Sequence, residues 1–169
     1  AAAEFAGADG RLDPDDERSG FRYLACGRDD RFETFQSLGF RYLGLSIRAR
    51  GALRLRSAGV RERLHPREAG PFFECSDPVL NQIWSVGRRS VDLNSHDAYL
   101  DCPTREQRAW TGDMVVHQMV DFATHPDWRL ACWNVELCAS PRRDGMLPMA
   151  AAGDFEHLDS GFIPDWALH

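Results

Sequence analysis

The sequence predicts a mixed fold, with short strands first and amphipathic helices after them. Before about residue 64, apolar residues alternate with polar ones in short runs broken by glycine, a pattern typical of strands with one buried face. After a linker at 65–71 that contains proline and glycine, apolar residues recur every three or four positions, which is typical of helices. The chain of 169 residues has the length of one ordinary domain and can bury a core.

Four runs carry the strand pattern. They lie at 21–24, 40–47, 53–55 and 60–64, and arginines fill much of the face opposite their apolar residues. In the second run, Leu43, Leu45 and Ile47 alternate strictly. We expect residues 1–20 to form an irregular N-terminal segment that precedes these strands.

The first helix is predicted to begin at Ser76-Asp77-Pro78. Asp77 or Ser76 can serve as the N-cap, and proline is favoured at the first helical position. A stripe that includes Leu80, Ile83 and Val91 follows at helical spacing, so we expect one buried face and an end near His96.

Two further helices are predicted downstream. One begins around Gly112-Asp113, where a carboxylate is favoured by the positive end of the helix, and the other opens at Pro126-Asp127. The residues that we expect in the core of this region are apolar or small: Met114, Met119, Trp133, Cys132 and Cys138.

Composition excludes several functional classes. The formal net charge of −6 argues against a general nucleic-acid binder, and no apolar run is long enough to suggest a membrane partner. The five cysteines show neither a CxxC pair nor zinc-site spacing, which favours a reducing, cytoplasmic compartment. We expect no metal and no cofactor; His96, Asp97 and Cys102 lack a second ligand pair with suitable spacing.

The most informative segment is 101–113, Asp-Cys-Pro-Thr-Arg-Glu-Gln-Arg-Ala-Trp-Thr-Gly-Asp. It holds three carboxylates, two arginines and a tryptophan, and Pro103 and Gly112 prevent it from forming a plain helix. A loop that is fully exposed to solvent is not expected to contain a tryptophan and a cysteine among its charged residues. Loops held by a rigid scaffold are where binding and catalytic groups concentrate.

This segment resembles the signature of the bacterial α-L-rhamnosidases of glycoside hydrolase family 78. Residues 39–43, Gly-Phe-Arg-Tyr-Leu, resemble a strand of the β-domain that precedes the catalytic barrel in that family. Residues 144–148, Asp-Gly-Met-Leu-Pro, and 163–166, Ile-Pro-Asp-Trp, are similar to its later substrate-side loops. Many members carry an extra residue and a glycine before the tryptophan, where this chain has only Ala109, so the acid falls at Glu106 rather than one place later.

The resemblance implies a specific fold and division of the chain. It implies a partial β-sandwich-like domain at 21–70, then the first helices of an incomplete (α/α)6 barrel, the six-hairpin glycosidase fold, at 71–169. Periodicity by itself shows only amphipathic helices in the second part.

The resemblance also implies an activity and site residues. The implied activity is inverting hydrolysis of terminal α-L-rhamnose from glycosides or polysaccharides, with Glu106 as the general acid. Carboxylates accept sugar hydroxyl groups, aromatic rings pack on sugar C–H faces and arginine can orient a carboxylate, so the expected substrate-side residues are Asp101, Arg105, Trp110, Asp113, Asp165 and Trp166.

Two other functional classes remain open from the residues alone. The chain can be a non-catalytic carbohydrate-binding module, or another helical-barrel glycosidase or polysaccharide lyase, for which Tyr99 is a candidate base. The sequence does not define the oligomeric state.

We expect the 169 residues to be a piece of a longer protein and inactive alone. There is no initiator methionine or signal peptide, and the resemblance implies that the second carboxylate comes from a later loop. The remaining local acids match no motif for that base: Glu136, Asp144, Asp154, Glu156, Asp159 and Asp165. We also expect exposed apolar surface and poor solubility.

Overall fold

The computed structural model describes residues 2–3, 5–13, 20–139, 145–150 and 163–168. The chain divides into two compact units, Ala1–Glu62 and Arg63–His169. The site described below lies in the second unit.

Short antiparallel pairs are the regular structure of the first unit. Strand β1 (Ala2–Ala3) pairs with β4 (Tyr42–Leu43), and β2 (Phe5–Ala6) pairs with β3 (Leu12–Asp13). The N-terminal segment, expected to be irregular, therefore holds three two-residue strands.

The strands predicted downstream are mostly not formed. In the described stretch 20–77, the only strand is β4, which covers two residues of the run 40–47, and the runs 21–24, 53–55 and 60–64 have none. Leu45 and Ile47, expected on a buried face, are exposed. Alternating apolar and polar residues show that a segment could cover a core with one face. A strand also needs neighbouring strands to pair with, because an isolated two-stranded pair is only marginally stable. The β-sandwich is not confirmed.

Helix α1 (Pro78–Leu93) begins where the sequence predicts. The Asp77 carboxylate accepts the backbone N–H of Val79 at 2.8 Å, and Pro78 lies in the first turn. The helix ends at Leu93, with Asn94 as its C-cap, rather than near His96. Asn94 and Ser95 turn the chain there, each donating its backbone N–H to a carbonyl of the last helical turn.

Removing the N-cap should destabilise this unit measurably. Asp77→Ala deletes the acceptor of an otherwise unpaired amide, so we expect the free energy of unfolding to fall by about 1 kcal/mol, measured by urea denaturation. Asp77→Asn is the control, because asparagine caps as well as aspartate. Equal losses in both variants would contradict the capping role.

Three more helices follow α1 in the described residues. Helix α2 (Asp113–Thr124) packs on α1 and on α3 (Arg129–Cys138), and a short helix α4 (Pro164–Ala167) follows. Both longer helices lie where the sequence predicts, although α3 begins at Arg129 rather than at Pro126-Asp127. The apolar core that they form with α1 consists of Val91, Tyr99, Met114, Leu130, Ala131 and Cys138.

Leu80 and Ile83, expected on the buried face of α1, are exposed, and so are three of the residues expected in the core further on. Met119 is 69% exposed, and Trp133 and Cys132 are exposed as well, whereas Met114 and Cys138 are buried as expected. Each misplaced residue is apolar, but the buried face of its helix is centred on Asp121 in α2 and Asn134 in α3. Polar residues therefore occupy the centre of the faces by which α2 and α3 pack. The pattern of apolar residues in the sequence cannot identify such a face.

A buried polar network joins the helices beneath the site. The fully buried carboxylate of Asp121 accepts from the Arg67 guanidinium and from the Tyr99 hydroxyl, and it lies 2.8 Å from His125 Nδ1. Arg67 also donates to Ser95 Oγ at 2.6 Å. We call these five residues the Asp121 network. Because Tyr99 stands just before residue 101, the network fixes the start of segment 101–113.

Candidate functional site

Segment 101–113 closes on itself through its backbone. The Asp101 N–H donates to the Arg108 carbonyl at 2.9 Å, and the Arg108 N–H donates to Asp101 Oδ1 at 2.8 Å. Gln107 adopts a left-handed conformation with φ of 52°, and its side-chain amide donates to the Pro103 carbonyl at 2.9 Å. The segment is therefore a shaped loop, as its proline and glycine indicate.

Both oxygens of Glu106 accept hydrogen bonds. The Trp110 indole N–H donates to Oε2 at 2.7 Å, and the Arg105 guanidinium donates to Oε1. The Glu106 side chain is 30% exposed, whereas that of Arg105 is 76% exposed. The carboxyl group is thus held on one oxygen by a ring in the loop and on the other by a solvent-facing side chain.

Asp113 is the first residue of α2 and couples electrostatically to the loop. Burial is the main cause that raises its pKa, followed by the negative charge of Asp101, with a smaller contribution from Glu106. His117 and a backbone hydrogen bond act in the opposite direction. Asp113 therefore interacts with the charges of both Asp101 and Glu106, and we call these three residues the carboxylate cluster.

Two later segments pack on this loop. Thr111 donates its N–H to the Met149 carbonyl at 2.9 Å and its hydroxyl to the Pro148 carbonyl at 2.7 Å. Trp166 meets Trp110 edge-on, with ring centroids 6.0 Å apart and planes at 70°. Segments 145–150 and 163–168 therefore converge on the carboxylate cluster.

Glycine at 112 is what allows Trp166 to approach. A Cβ added to Gly112 would lie 2.5 Å from atoms of the Trp166 indole, closer than any side-chain contact permits. The Trp166 ring therefore packs directly against the backbone where the loop enters α2.

The chain matches a known family over the region that contains this loop. The family model of the bacterial α-L-rhamnosidase six-hairpin glycosidase domain matches residues 68–168, more than half of the chain. The chain belongs to this family. The match includes the loop, the carboxylate cluster and both segments that pack on it.

A curated member of the rhamnosidase family is also similar in sequence. An α-L-rhamnosidase from Formosa agariphila is 34% identical over 59 residues, which are 35% of this chain and 6% of that protein. The present chain therefore spans a small part of the length of this relative. No solved structure matches the chain.

The structure places the predicted rhamnosidase site residues as follows. Asp101, Arg105, Glu106, Trp110 and Asp113 share the loop and its junction with α2, and Trp166 packs on them. Asp165 lies exposed in the first turn of α4. Arg105 pairs with Glu106 through one nitrogen, rather than holding a carboxylate with two. Four of the local acids lie outside the described residues: Asp144, Asp154, Glu156 and Asp159.

Tyr99 does not have the environment of a catalytic base. Its side chain is 1% exposed, its hydroxyl donates to Asp121, and burial raises its pKa to about 12. A lyase base has to reach the substrate and release its proton readily. The described geometry therefore gives no support to the lyase alternative.

The Asp121 network was missed by the sequence reasoning, although one signal was available. Asp121 lies seven positions after Met114 and so shares the core-facing side of α2, where an aspartate needs a cationic partner. The partner, Arg67, is far away in sequence and could not be identified from spacing. Burial, followed by the Arg67 charge, lowers the pKa of His125, although the nearby Asp92 acts in the opposite direction.

A shallow groove lies elsewhere on the same unit. Its volume is about 520 Å³, and it is lined by residues 71–74 and by one side of α1 that includes Trp84 and Arg88. It shares no residue with segment 101–113. We place the site at the loop because the carboxylate cluster can donate protons and bind hydroxyl groups, whereas the groove is an open surface hollow.

The described part of the chain has neither a cluster of metal-binding side chains nor a membrane-spanning helix. Among the residues that the structure describes, no group of three His, Cys, Asp or Glu side chains could hold a metal ion. No helix in the described ranges is both long and apolar enough to cross a membrane.

Proposed function

We propose that the protein containing this chain is an exo-acting α-L-rhamnosidase that hydrolyses terminal α-linked L-rhamnose with inversion. Membership of the rhamnosidase family supports the substrate class. The observation that carries the proposal is Glu106, a carboxyl oriented through both oxygens beside Asp101 and Asp113. Glycoside hydrolysis needs such an oriented carboxyl to protonate the leaving oxygen.

The three carboxyl groups of the cluster can serve two roles, proton donation and binding of sugar hydroxyl groups. A general acid keeps its proton until the leaving oxygen takes it, so its carboxyl has to be held toward that oxygen. The hydrogen bonds from Trp110 and Arg105 hold the Glu106 carboxyl in place, and Asp101 and Asp113 lie at the two ends of the same loop. An ionised carboxylate also accepts sugar hydroxyl groups in charge-assisted hydrogen bonds, so these two aspartates are proposed to bind the rhamnose ring.

The aromatic side of the site supports a carbohydrate ligand. Trp110 and Trp166 stand edge-on beside the carboxylate cluster, and ring faces pack well against sugar C–H groups. We assign Trp166 and the exposed Asp165 to the substrate side of the site, with Arg105 next to the acid.

An inverting reaction needs a second carboxyl group. It stands about 6.5–9.5 Å from the acid and takes a proton from the water that attacks the anomeric carbon. The family resemblance puts this base in a later loop of the helical barrel. The resemblance divides the chain into an N-terminal segment at 1–20, part of a β-sandwich domain at 21–70 and the start of the (α/α)6 barrel at 71–169, whereas the two compact units separate earlier, between residues 62 and 63.

The substrate and the stereochemistry can be tested together on the full-length protein. We expect hydrolysis of aryl α-L-rhamnosides, with little hydrolysis of aryl glycosides of other sugars. Proton NMR during the reaction should show β-L-rhamnose forming first, before it equilibrates. Preferential hydrolysis of another sugar would contradict the substrate, and initial release of the α-anomer would contradict inversion.

We expect residues 1–169 alone to be inactive on the same substrates. The reason is that the attacking water lacks its base, even where Glu106 is correctly oriented. The measurement compares turnover of the purified 169-residue chain with that of the full-length protein at equal concentration. Turnover by the shorter chain that disappears in its own Glu106→Gln variant would show that one of its local acids serves as the base.

A further inference from the structure

The two oxygens of Glu106 are held in unequal ways. Oε2 accepts from the Trp110 indole, a ring that packs edge-on against Trp166, and Trp166 itself packs on the backbone of Gly112. Oε1 accepts from Arg105, the neighbouring residue, whose side chain is mostly in solvent. One contact is therefore supported by packing and the other is not.

The strength of these contacts differs for the same reason. An exposed ion pair contributes little, because water solvates both charges and the arginine loses side-chain freedom by staying in place. The Trp110 ring has only two rotatable bonds, and its position is constrained by Trp166. A ligand can therefore displace Arg105 much more easily than it can displace the indole N–H.

The chemistry of the indole adds a second constraint. An indole nitrogen donates a hydrogen bond and does not accept one. Oε2 therefore accepts a hydrogen bond from Trp110 and cannot direct a proton of its own toward that ring. When Glu106 is protonated, this contact favours the proton on Oε1, because a carbonyl oxygen accepts the indole hydrogen bond better than a hydroxyl oxygen does.

We infer that Trp110 is a positioning residue, which fixes the rotation of the Glu106 carboxyl so that Oε1 carries the catalytic proton. This inference rests on the proposed function of Glu106 as general acid and assigns its two oxygens. Arg105 leaves Oε1 when the substrate binds, and the glycosidic oxygen takes its place.

In the proposed bond cleavage, each proton and each electron pair has a donor and an acceptor. The proton on Oε1 moves to the glycosidic oxygen as the bond from that oxygen to the anomeric carbon breaks, and the bonding electron pair goes to the oxygen. Glu106 is left as a carboxylate, with its negative charge stabilised by the Trp110 N–H on Oε2. Water adds to the anomeric carbon and gives its proton to the carboxylate base.

The contact itself can be tested without enzyme activity. The chain has five tryptophans, so NMR of nitrogen-labelled protein gives few indole N–H signals, and the one lost in Trp110→Phe is assigned. We expect this signal to shift as the pH passes through carboxyl titration, and the shift to disappear in Glu106→Gln. A Trp110 signal that does not respond to Glu106 overturns the inference, whether or not the enzyme hydrolyses rhamnosides.

The positioning role has a kinetic test in the full-length enzyme. Trp110→Phe keeps a ring beside Trp166 and removes the N–H, so kcat for an alkyl rhamnoside should fall roughly 10- to 100-fold, the effect of losing a hydrogen bond to a charged group. An activated aryl rhamnoside, which needs little protonation, should lose much less. The basic limb of the pH profile should move to higher pH, because the carboxylate loses a donor that stabilises it.

Trp128→Phe is the matched control. Trp128 also donates its indole N–H and also meets a ring edge-on, but its acceptor is the His125 carbonyl and its neighbour is Phe122. This variant should leave the pH profile and the ratio of the two substrates unchanged. If Trp110→Phe raises KM equally for both substrates without moving the pH profile, Trp110 is only a sugar platform and the inference is wrong.

Discussion

Replacing Glu106 by glutamine should slow hydrolysis of alkyl rhamnosides by roughly 100- to 10,000-fold, the usual contribution of a positioned general acid. Glutamine still accepts from the Trp110 indole through its amide oxygen, so the packing of the loop is retained. It has no proton to give, and a poor leaving group cannot depart without one. Activated aryl rhamnosides should lose far less, because their leaving groups depart as anions.

The control for this variant is another neutralised glutamate in the same unit. Glu136 lies exposed on α3, and Glu136→Gln should leave both activities unchanged. The decisive measurement is the ratio of kcat/KM for the alkyl and aryl substrates. An equal loss on both substrates would show that Glu106 binds the sugar rather than protonating the leaving group.

Replacing Asp121 by asparagine should lower the free energy of unfolding by about 3–5 kcal/mol, the cost of breaking a buried ion pair from one side. The substitution nearly preserves volume, so the effect comes from charge. Arg67, whose side chain is almost fully buried, loses its counter-charge, and its Nε already has no hydrogen-bond partner within the described structure. Urea denaturation followed by circular dichroism measures the loss.

An ion pair whose arginine is exposed to solvent provides the comparison. Asp127 pairs with the exposed Arg129, which holds the pKa of that carboxyl well below its usual value. Asp127→Asn should nevertheless have a much smaller effect on unfolding, because Arg129 remains solvated when its partner is neutral. Similar losses in Asp121→Asn and Asp127→Asn would contradict the importance of burial.

The helix positions were predictable because their signals are local. Asp77 and Pro78 mark the start of α1, and Asp113 marks the start of α2. Capping and the first-turn preference for carboxylates act within a few residues, so they can be identified without knowledge of the tertiary structure. The family resemblance likewise located the loop 101–113 and the two segments that pack on it.

The errors concern features that depend on distant residues. Met119 and Trp133 are apolar residues of amphipathic helices, but periodicity does not say which face meets a neighbour. Charged residues are normally exposed, so the burial of Asp121 follows only from Arg67, 54 positions earlier. The strand run 40–47 similarly depends on partners that alternation does not identify. The positioning role that we propose for Trp110 depends on the direction of one N–H, which no sequence pattern specifies.

The position of Arg67 also determines where this protein can be divided. The family match begins at residue 68, one position after the guanidinium that neutralises Asp121. A piece begun at that match would contain all four described helices and the whole carboxylate cluster, yet it would bury an aspartate without its cation. The linker at 65–71 also donates the His65 N–H to the Ser95 carbonyl, so its residues belong physically to the helical unit. A functional boundary therefore lies before residue 63, where the two compact units separate, and not where similarity to the family starts.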